Sequence, residues 1–160
     1  MRSPIKLAPA GLALALLLSP LTAHAIAGPF AALTGNWSGA GKIVFSDGHE
    51  EGLRCRATES GGQGDNLQLT LRCASASYNF ELSSDVTYQG GAISGSWSEA
   101  SHNVGGSLTG RASGNHIEAA ARAPNFAANL SLTTTGNRQM VSIRSAGSEI
   151  AEVTLALSRR

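Results

Sequence analysis

Two cysteines, Cys55 and Cys73, stand at matching places in two segments of strict alternation, and they constrain this 160-residue chain more than any other feature. The first segment reads Leu53-Arg54-Cys55-Arg56-Ala57-Thr58 and the second Leu67-Gln68-Leu69-Thr70-Leu71-Arg72-Cys73. Each alternates apolar with polar residues, as a half-buried strand does, and the glycine-rich stretch between them reads as a turn. Setting Cys55 opposite Cys73 places Ala57 against Leu71 and Arg56 against Arg72. Leu53, Cys55, Ala57, Leu67, Leu69, Leu71 and Cys73 then share one face, and the arginines, glutamine and threonines share the other. A slip of one residue would invert the pattern in either arm, so the two arms fix each other's register. Residues directly opposed in an antiparallel pair stand within disulfide reach, which predicts a Cys55–Cys73 bridge.

Such a bridge implies an oxidising compartment. The N-terminal sequence agrees. Arg2 and Lys6 precede the apolar run Leu12-Ala13-Leu14-Ala15-Leu16-Leu17-Leu18, and Ala23-His24-Ala25 follows. A basic head, a short apolar core and a small-x-small site describe a secretory signal cleaved after Ala25, leaving a protein that is periplasmic or secreted. The run is too short to span a bilayer as a mature helix. Residues 1–25 are therefore expected to be the signal and residues 26–160 a single domain. Cleavage takes away Arg2 and Lys6 and no acid, so the remaining chain is nearly neutral. That charge balance argues against a nucleic-acid partner.

The alternation continues to the end of the chain. Trp37, Gly39, Gly41, Ile43 and Phe45 share one face of a first strand, and Asp47-Gly48 makes the turn into Leu53. Keeping inward faces together sets Ile43 opposite Leu53 and Lys42 opposite Arg54. Further strands follow around Phe80, Val86, Ile93-Trp97, Val104-Gly110, Ile117-Ala121, Phe126-Leu132, Met140-Ile143 and Ile150-Leu157, separated by Gly90-Gly91, Gly114-Asn115, Pro124-Asn125, Gly136-Asn137 and Gly147. Turn signals every 8–12 residues and short connections predict an all-β fold with neighbours paired antiparallel. The expected architecture is a single up-and-down β-barrel of about 8–10 strands, which closes off exposed edges; a two-sheet β-sandwich is the alternative.

Leu33-Thr34-Gly35-Asn36-Trp37, a Gly-x-Trp opening the first strand after a short turn, resembles the calycin barrels: lipocalins, fatty-acid-binding proteins and avidins. Gly90-Gly91-Ala92-Ile93-Ser94-Gly95-Ser96-Trp97 is similar to the glycine-punctuated strands of avidins. The resemblance implies that Trp37 closes one barrel end under a cation from the last strand, a role that Arg159 can fill. The sequence departs from those families too. Only Trp37 and Trp97 are present where avidins use several tryptophans, and the lipocalin Thr-Asp-Tyr turn is missing. The resemblance therefore carries architecture and no ligand. Gly35-x-Trp37-Ser38 recurs as Gly95-x-Trp97-Ser98, which reads as two strands using glycine to let a large ring lie flat, with duplication of a half-barrel as the alternative.

Catalytic chemistry is not legible. His49, His102 and His116 show no metal-ligand spacing, and no Gly-x-Ser-x-Gly elbow is present. No glycine-rich loop leads into a helix, which excludes a P-loop or dinucleotide site. The chain reads as a binding protein with neither cofactor nor metal, not as an enzyme. The one constellation that stands out is basic. In the registers above, Lys42, Arg54, Arg56 and Arg72 face outward on three adjacent strands, where like charges directly opposed are destabilising. They form a candidate surface for an anionic envelope component or protein, unless Glu50, Glu51, Glu59 or Glu81 pair with them. The leading expectation is an envelope interaction or inhibitor-type module using that face or the barrel-mouth loops. The alternative is a binder of a small apolar ligand inside the barrel. A membrane-spanning barrel would need outward apolar bands and aromatic girdles, and the outward positions are mostly Ser, Thr, Arg and Gln.

Overall fold

The computed structural model describes residues 28–61 and 64–160, so the expected signal segment lies outside the described residues. The alternating segments become ten strands among the described residues: β1 (Gly35–Phe45), β2 (Glu50–Ser60), β3 (Asn66–Ala74), β4 (Asn79–Gln89) and β5 (Ala92–Glu99), then β6 (Val104–Ser113), β7 (His116–Ala123), β8 (Phe126–Thr135), β9 (Arg138–Ala146) and β10 (Ile150–Arg159). Each pairs antiparallel with its neighbours in sequence, and β1 pairs with β10 to close the barrel. The fold is all-β and up-and-down, and no helix stands among the described residues. Closure leaves no unpaired edge to template aggregation. No helix among the described residues is long and apolar enough to cross a membrane.

The β2–β3 register is the one the alternation dictates: Cys55 faces Cys73, Arg56 faces Arg72 and Ala57 faces Leu71. The two cysteines form a disulfide and are buried on the inward face. The β1–β2 register corrects the expectation by two residues. Ile43 pairs with Glu51, Lys42 with Gly52, and Arg54 with Ala40. The cause is the turn. Phe45 N–H donates to the His49 carbonyl and Gly48 N–H to the Phe45 carbonyl, with Gly48 at φ 88°, so the hairpin closes through three residues with glycine in the left-handed position. A longer loop would have been needed to bring Ile43 beside Leu53.

The strands run between two ends. The floor holds the starts of β1, β3, β5, β7 and β9, and the mouth holds their far ends. Before β1, residues 28–34 fold into tight turns, with Ala31 N–H donating to the Gly28 carbonyl and Leu33 N–H to the Phe30 carbonyl. These turns push Phe30 and Leu33 into the floor, where both are buried. The inward residues of β1, β2 and β10 above them, among them Ile43, Leu53, Val153 and Leu155, are almost wholly buried. A Cβ on Gly39 or Gly41 would collide with the Ala156 and Thr154 carbonyls, as one on Gly95, Gly106 or Gly110 would with the Asp85, Arg122 and Glu118 carbonyls.

The opposite wall is packed differently. Leu69, Leu82, Leu108, Ile117, Leu130 and Ile143 share the inward face with buried residues yet remain only half-buried. Their inward neighbours are small: Gly106, Gly110, Ala119, Ala121 and Ala128. Eight strands enclose an interior that side chains just fill, and ten enclose more. Small residues on a wider barrel leave the axis incompletely filled.

Candidate functional site

The unfilled space is two chambers along the barrel axis. The inner one has a volume of about 140 Å³ and is walled by leucine, isoleucine, alanine and aromatic side chains, Leu69, Leu108, Leu130 and Trp97 among them, down to Phe30 and Leu33 at the floor. The outer one, about 230 Å³, is lined by Tyr78, Phe80, His102, Val104, Glu149 and Val153 at the mouth. Leu82, Phe126 and Ile143 line both, so the chambers meet around Phe126. An apolar cavity of ~150 Å³ stays dry and accepts a benzene-sized molecule.

The mouth is held open by two carboxylates that bind loops. Glu51 accepts hydrogen bonds from Ser75 Oγ (2.5 Å), Ser77 Oγ (2.6 Å) and Ser77 N–H (3.0 Å), which pull its pKa down to about 2. Glu99 is buried, which would raise its pKa. The N–H groups of Glu81, Ser101 and His102 and the His102 ring, at 2.6–2.9 Å, outweigh burial and hold it below the usual carboxylate range. His102, fixed by Glu99, stacks on Tyr78 with ring centroids 4.8 Å apart and planes 8° from parallel. Burial, then the charges of Glu99 and Glu149, push the Tyr78 phenol up.

The floor is closed by a cation on a ring. Arg159 Cζ lies 4.2 Å from the centre of the Trp37 ring, and its guanidinium donates to the Thr34 and Ala32 carbonyls. Trp37 Nε1–H donates to the Leu33 carbonyl at 2.8 Å. Together these contacts tie the turn of residues 28–34 across the end of the barrel. Beside them sits Glu59, 2% exposed, with Oε2 accepting from Gln139 Nε2 at 2.9 Å. Burial raises its pKa to about 7, with the Gln139 hydrogen bond, the Arg159 charge and the Trp37 N–H offsetting part of the rise. The Gln139 Oε1, Thr134 Oγ1 and Trp97 Nε1 atoms are buried without a partner among the described residues.

Of the four cations expected to cluster on the outer wall, the structure separates one. Lys42 Nζ pairs with Glu50 at 3.0 Å and lies beside Gly52, not Arg54, because of the two-residue difference in register. Arg54, Arg56 and Arg72 do border one shallow outward groove, together with Ser38 and Arg160. Arg72 spends its guanidinium on Glu81 at 2.8 Å, and Arg160 Nε donates to Ser38 Oγ. Arg54 and Arg56 have no carboxylate partner among the described residues. The sequence reading missed Glu59 and Glu99 as interior groups. Their signal was present: Glu59 continues the inward series Leu53, Cys55, Ala57, and Glu99 the series Ile93, Gly95, Trp97.

No protein-family model matches the chain, and no curated protein matches it in sequence. Solved structures do. The chain is similar to Rv2717c from M. tuberculosis, with a TM-score of 0.63 and 14% identity over 82% of this chain and 94% of that one. It is also similar to the S-type phycobiliprotein lyase CPES from Guillardia theta, with a TM-score of 0.56 and 9% identity over 82% and 89% of the two chains. At these identities the likeness shows the fold alone, an antiparallel β-barrel.

Proposed function

We propose that this protein is an exported carrier or sensor that binds a small, largely apolar molecule in the barrel interior. The observation that carries this reading is the row of inward leucines and isoleucines left half-buried around a chamber that continues to the mouth. A protein that needed only a core would fill that space, since each buried methylene left uncovered forgoes about 0.8 kcal/mol. One sealed end and one rigid, aromatic-rimmed open end give a ligand a single route. The similarity to a barrel described as a phycobiliprotein lyase supports a fold suited to an organic guest, and no lyase chemistry is assigned to this chain. Export rests on the sequence of residues 1–25 and agrees with the Cys55–Cys73 disulfide.

The outward basic face carries less weight as the main function. Lys42 and Arg72 are each engaged by a glutamate, and exposed pairs of this kind contribute little. A methyl-resolved NMR titration with toluene tests the interior reading. Saturable shifts are expected at Leu69, Leu108, Leu130 and Ile143, and the chamber-filling substitution Ala121→Phe should abolish them in a protein that still folds. Shifts confined to the outer surface, or none, would overturn the proposal.

A further inference from the structure

Resting on that reading, the floor of the inner chamber narrows the class of ligand. Its lining is apolar except for Ser83, Ser84 and one ionisable side chain, Glu59. A carboxyl group walled by Phe30, Leu33 and Leu67 has given up most of its water, and a well-packed apolar residue in its place is often neutral or stabilising. Compensation from the protein comes from three side chains, Gln139, Arg159 and Trp37. Gln139 Nε2 supplies a hydrogen bond to Oε2, while Gln139 Oε1 and the nearby Thr134 Oγ1 have no partner among the described residues. The Arg159 cation acts on Glu59 from beside the Trp37 ring, where its own N–H groups are given to the Thr34 and Ala32 carbonyls. Glu59 is therefore the one ionisable group presented to the closed end of an apolar chamber.

We infer that the inner chamber takes a compact apolar molecule with a hydrogen-bond donor at its leading end, an alcohol or an amine, and that Glu59 receives that donor. The apolar body lies against Leu69, Leu108 and Leu130, and the donor points down to the floor. A carboxylate on the same body is rejected, because two like charges would meet where water is scarce. The Arg159 cation tempers the attraction for a charged amine, which keeps a neutral alcohol competitive.

Four molecules of one shape separate the possibilities: toluene, benzyl alcohol, benzylamine and benzoate, each titrated into the full protein at pH 8 by calorimetry or NMR. Benzyl alcohol and benzylamine are expected to bind roughly tenfold more tightly than toluene, as one hydrogen bond to a charged group allows, and benzoate more weakly than toluene. Glu59→Gln should erase the amine's advantage and leave toluene binding in place, which also reports that the variant folds. Toluene binding as well as the alcohol and amine would overturn this inference while leaving the apolar chamber intact. A benzylamine advantage that survives Glu59→Gln would also overturn it. Failure of all four to bind would remove both readings. If Glu59→Gln does not fold, the order of the four affinities in the unaltered protein decides the matter.

Discussion

The same short pattern, Gly-x-Trp-Ser, begins β1 and ends β5, and the two tryptophans meet opposite fates. Trp37 lies at the floor with its N–H given to Leu33, its face covered by Arg159 and its edge packed among fully buried residues. Trp97 lies toward the mouth, against Phe126 with ring centroids 5.2 Å apart, and its N–H has no partner among the described residues. One ring seals and the other lines a space. The difference follows from what surrounds each strand. β1 has β10 and the turn of residues 28–34 to supply carbonyls and a guanidinium, whereas β5 faces Gly106 on β6 and Ser84 on β4, which cover little. The same local pattern thus gives a structural plug in one place and a chamber wall in the other.

The contrast is most directly broken by the same truncation at both sites. Trp37→Ala should cost about 3–5 kcal/mol, the range for a large aromatic removed from a close-packed site, and it also strips the Leu33 carbonyl of its donor. Trp97→Ala should cost clearly less, since part of that ring already borders empty space. Urea unfolding midpoints measure both. Equal losses would mean that the two ends are packed alike and that the chamber is not a feature of the folded protein.

A second contrast sets the carboxylates of the two ends against each other. Glu59 at the floor is held at about 7 by burial, whereas Glu99 at the mouth is held low by N–H donors. Between pH 4.5 and 7 the folded protein keeps a proton on Glu59 that the unfolded chain has released. Its contribution is therefore fully present below pH 4.5 and is lost as pH rises through 7, by something on the order of 3 kcal/mol. Glu99 has the opposite sign: its stabilisation is present above the ordinary carboxylate range and lost as pH falls. Glu59→Gln should flatten the decline from pH 5 to 8 and leave the variant more stable than the parent at pH 8, whereas Glu99→Gln should be less stable there. Stability curves at the two pH values check this, and a Glu99→Gln variant that gains stability from pH 5 to 8 would contradict the assignment of Glu59.

How much of this was legible depended on how many constraints a segment carried. The β2–β3 hairpin was readable in register because two alternating arms and two cysteines had to agree. The β1–β2 register was not, because a shift of two residues preserves every inward and outward face, and Gly39 and Gly41 offer no bulk to tell one alignment from the other. Only the turn geometry at Gly48 decides it. The interior carboxyls were hidden by the opposite habit. Glu59 looked like a partner for outward arginines, although its parity with Leu53, Cys55 and Ala57 already placed it inside. The chamber itself depends on how the strands close around it, and neither strand count nor the mix of leucine and alanine along one strand reveals that.

The smallest expected effect is the most specific to the comparison. Trp97→Phe removes the N–H and part of the ring while keeping an aromatic against Phe126. A buried donor without a partner costs about 1–3 kcal/mol, and deleting it returns that penalty. Against this stands the lost apolar area of the smaller ring, which is modest where the ring borders a chamber. The two should leave a net change between nothing and a gain of about 1 kcal/mol, whereas Trp37→Phe, which orphans the Leu33 carbonyl in a filled site, should be clearly destabilising. The enlarged chamber gives a second readout, because Trp97→Phe should tolerate ring-substituted toluenes that the parent protein excludes. A loss of 2 kcal/mol or more at Trp97 would mean that its N–H is engaged after all, and the two tryptophans would then differ in position alone.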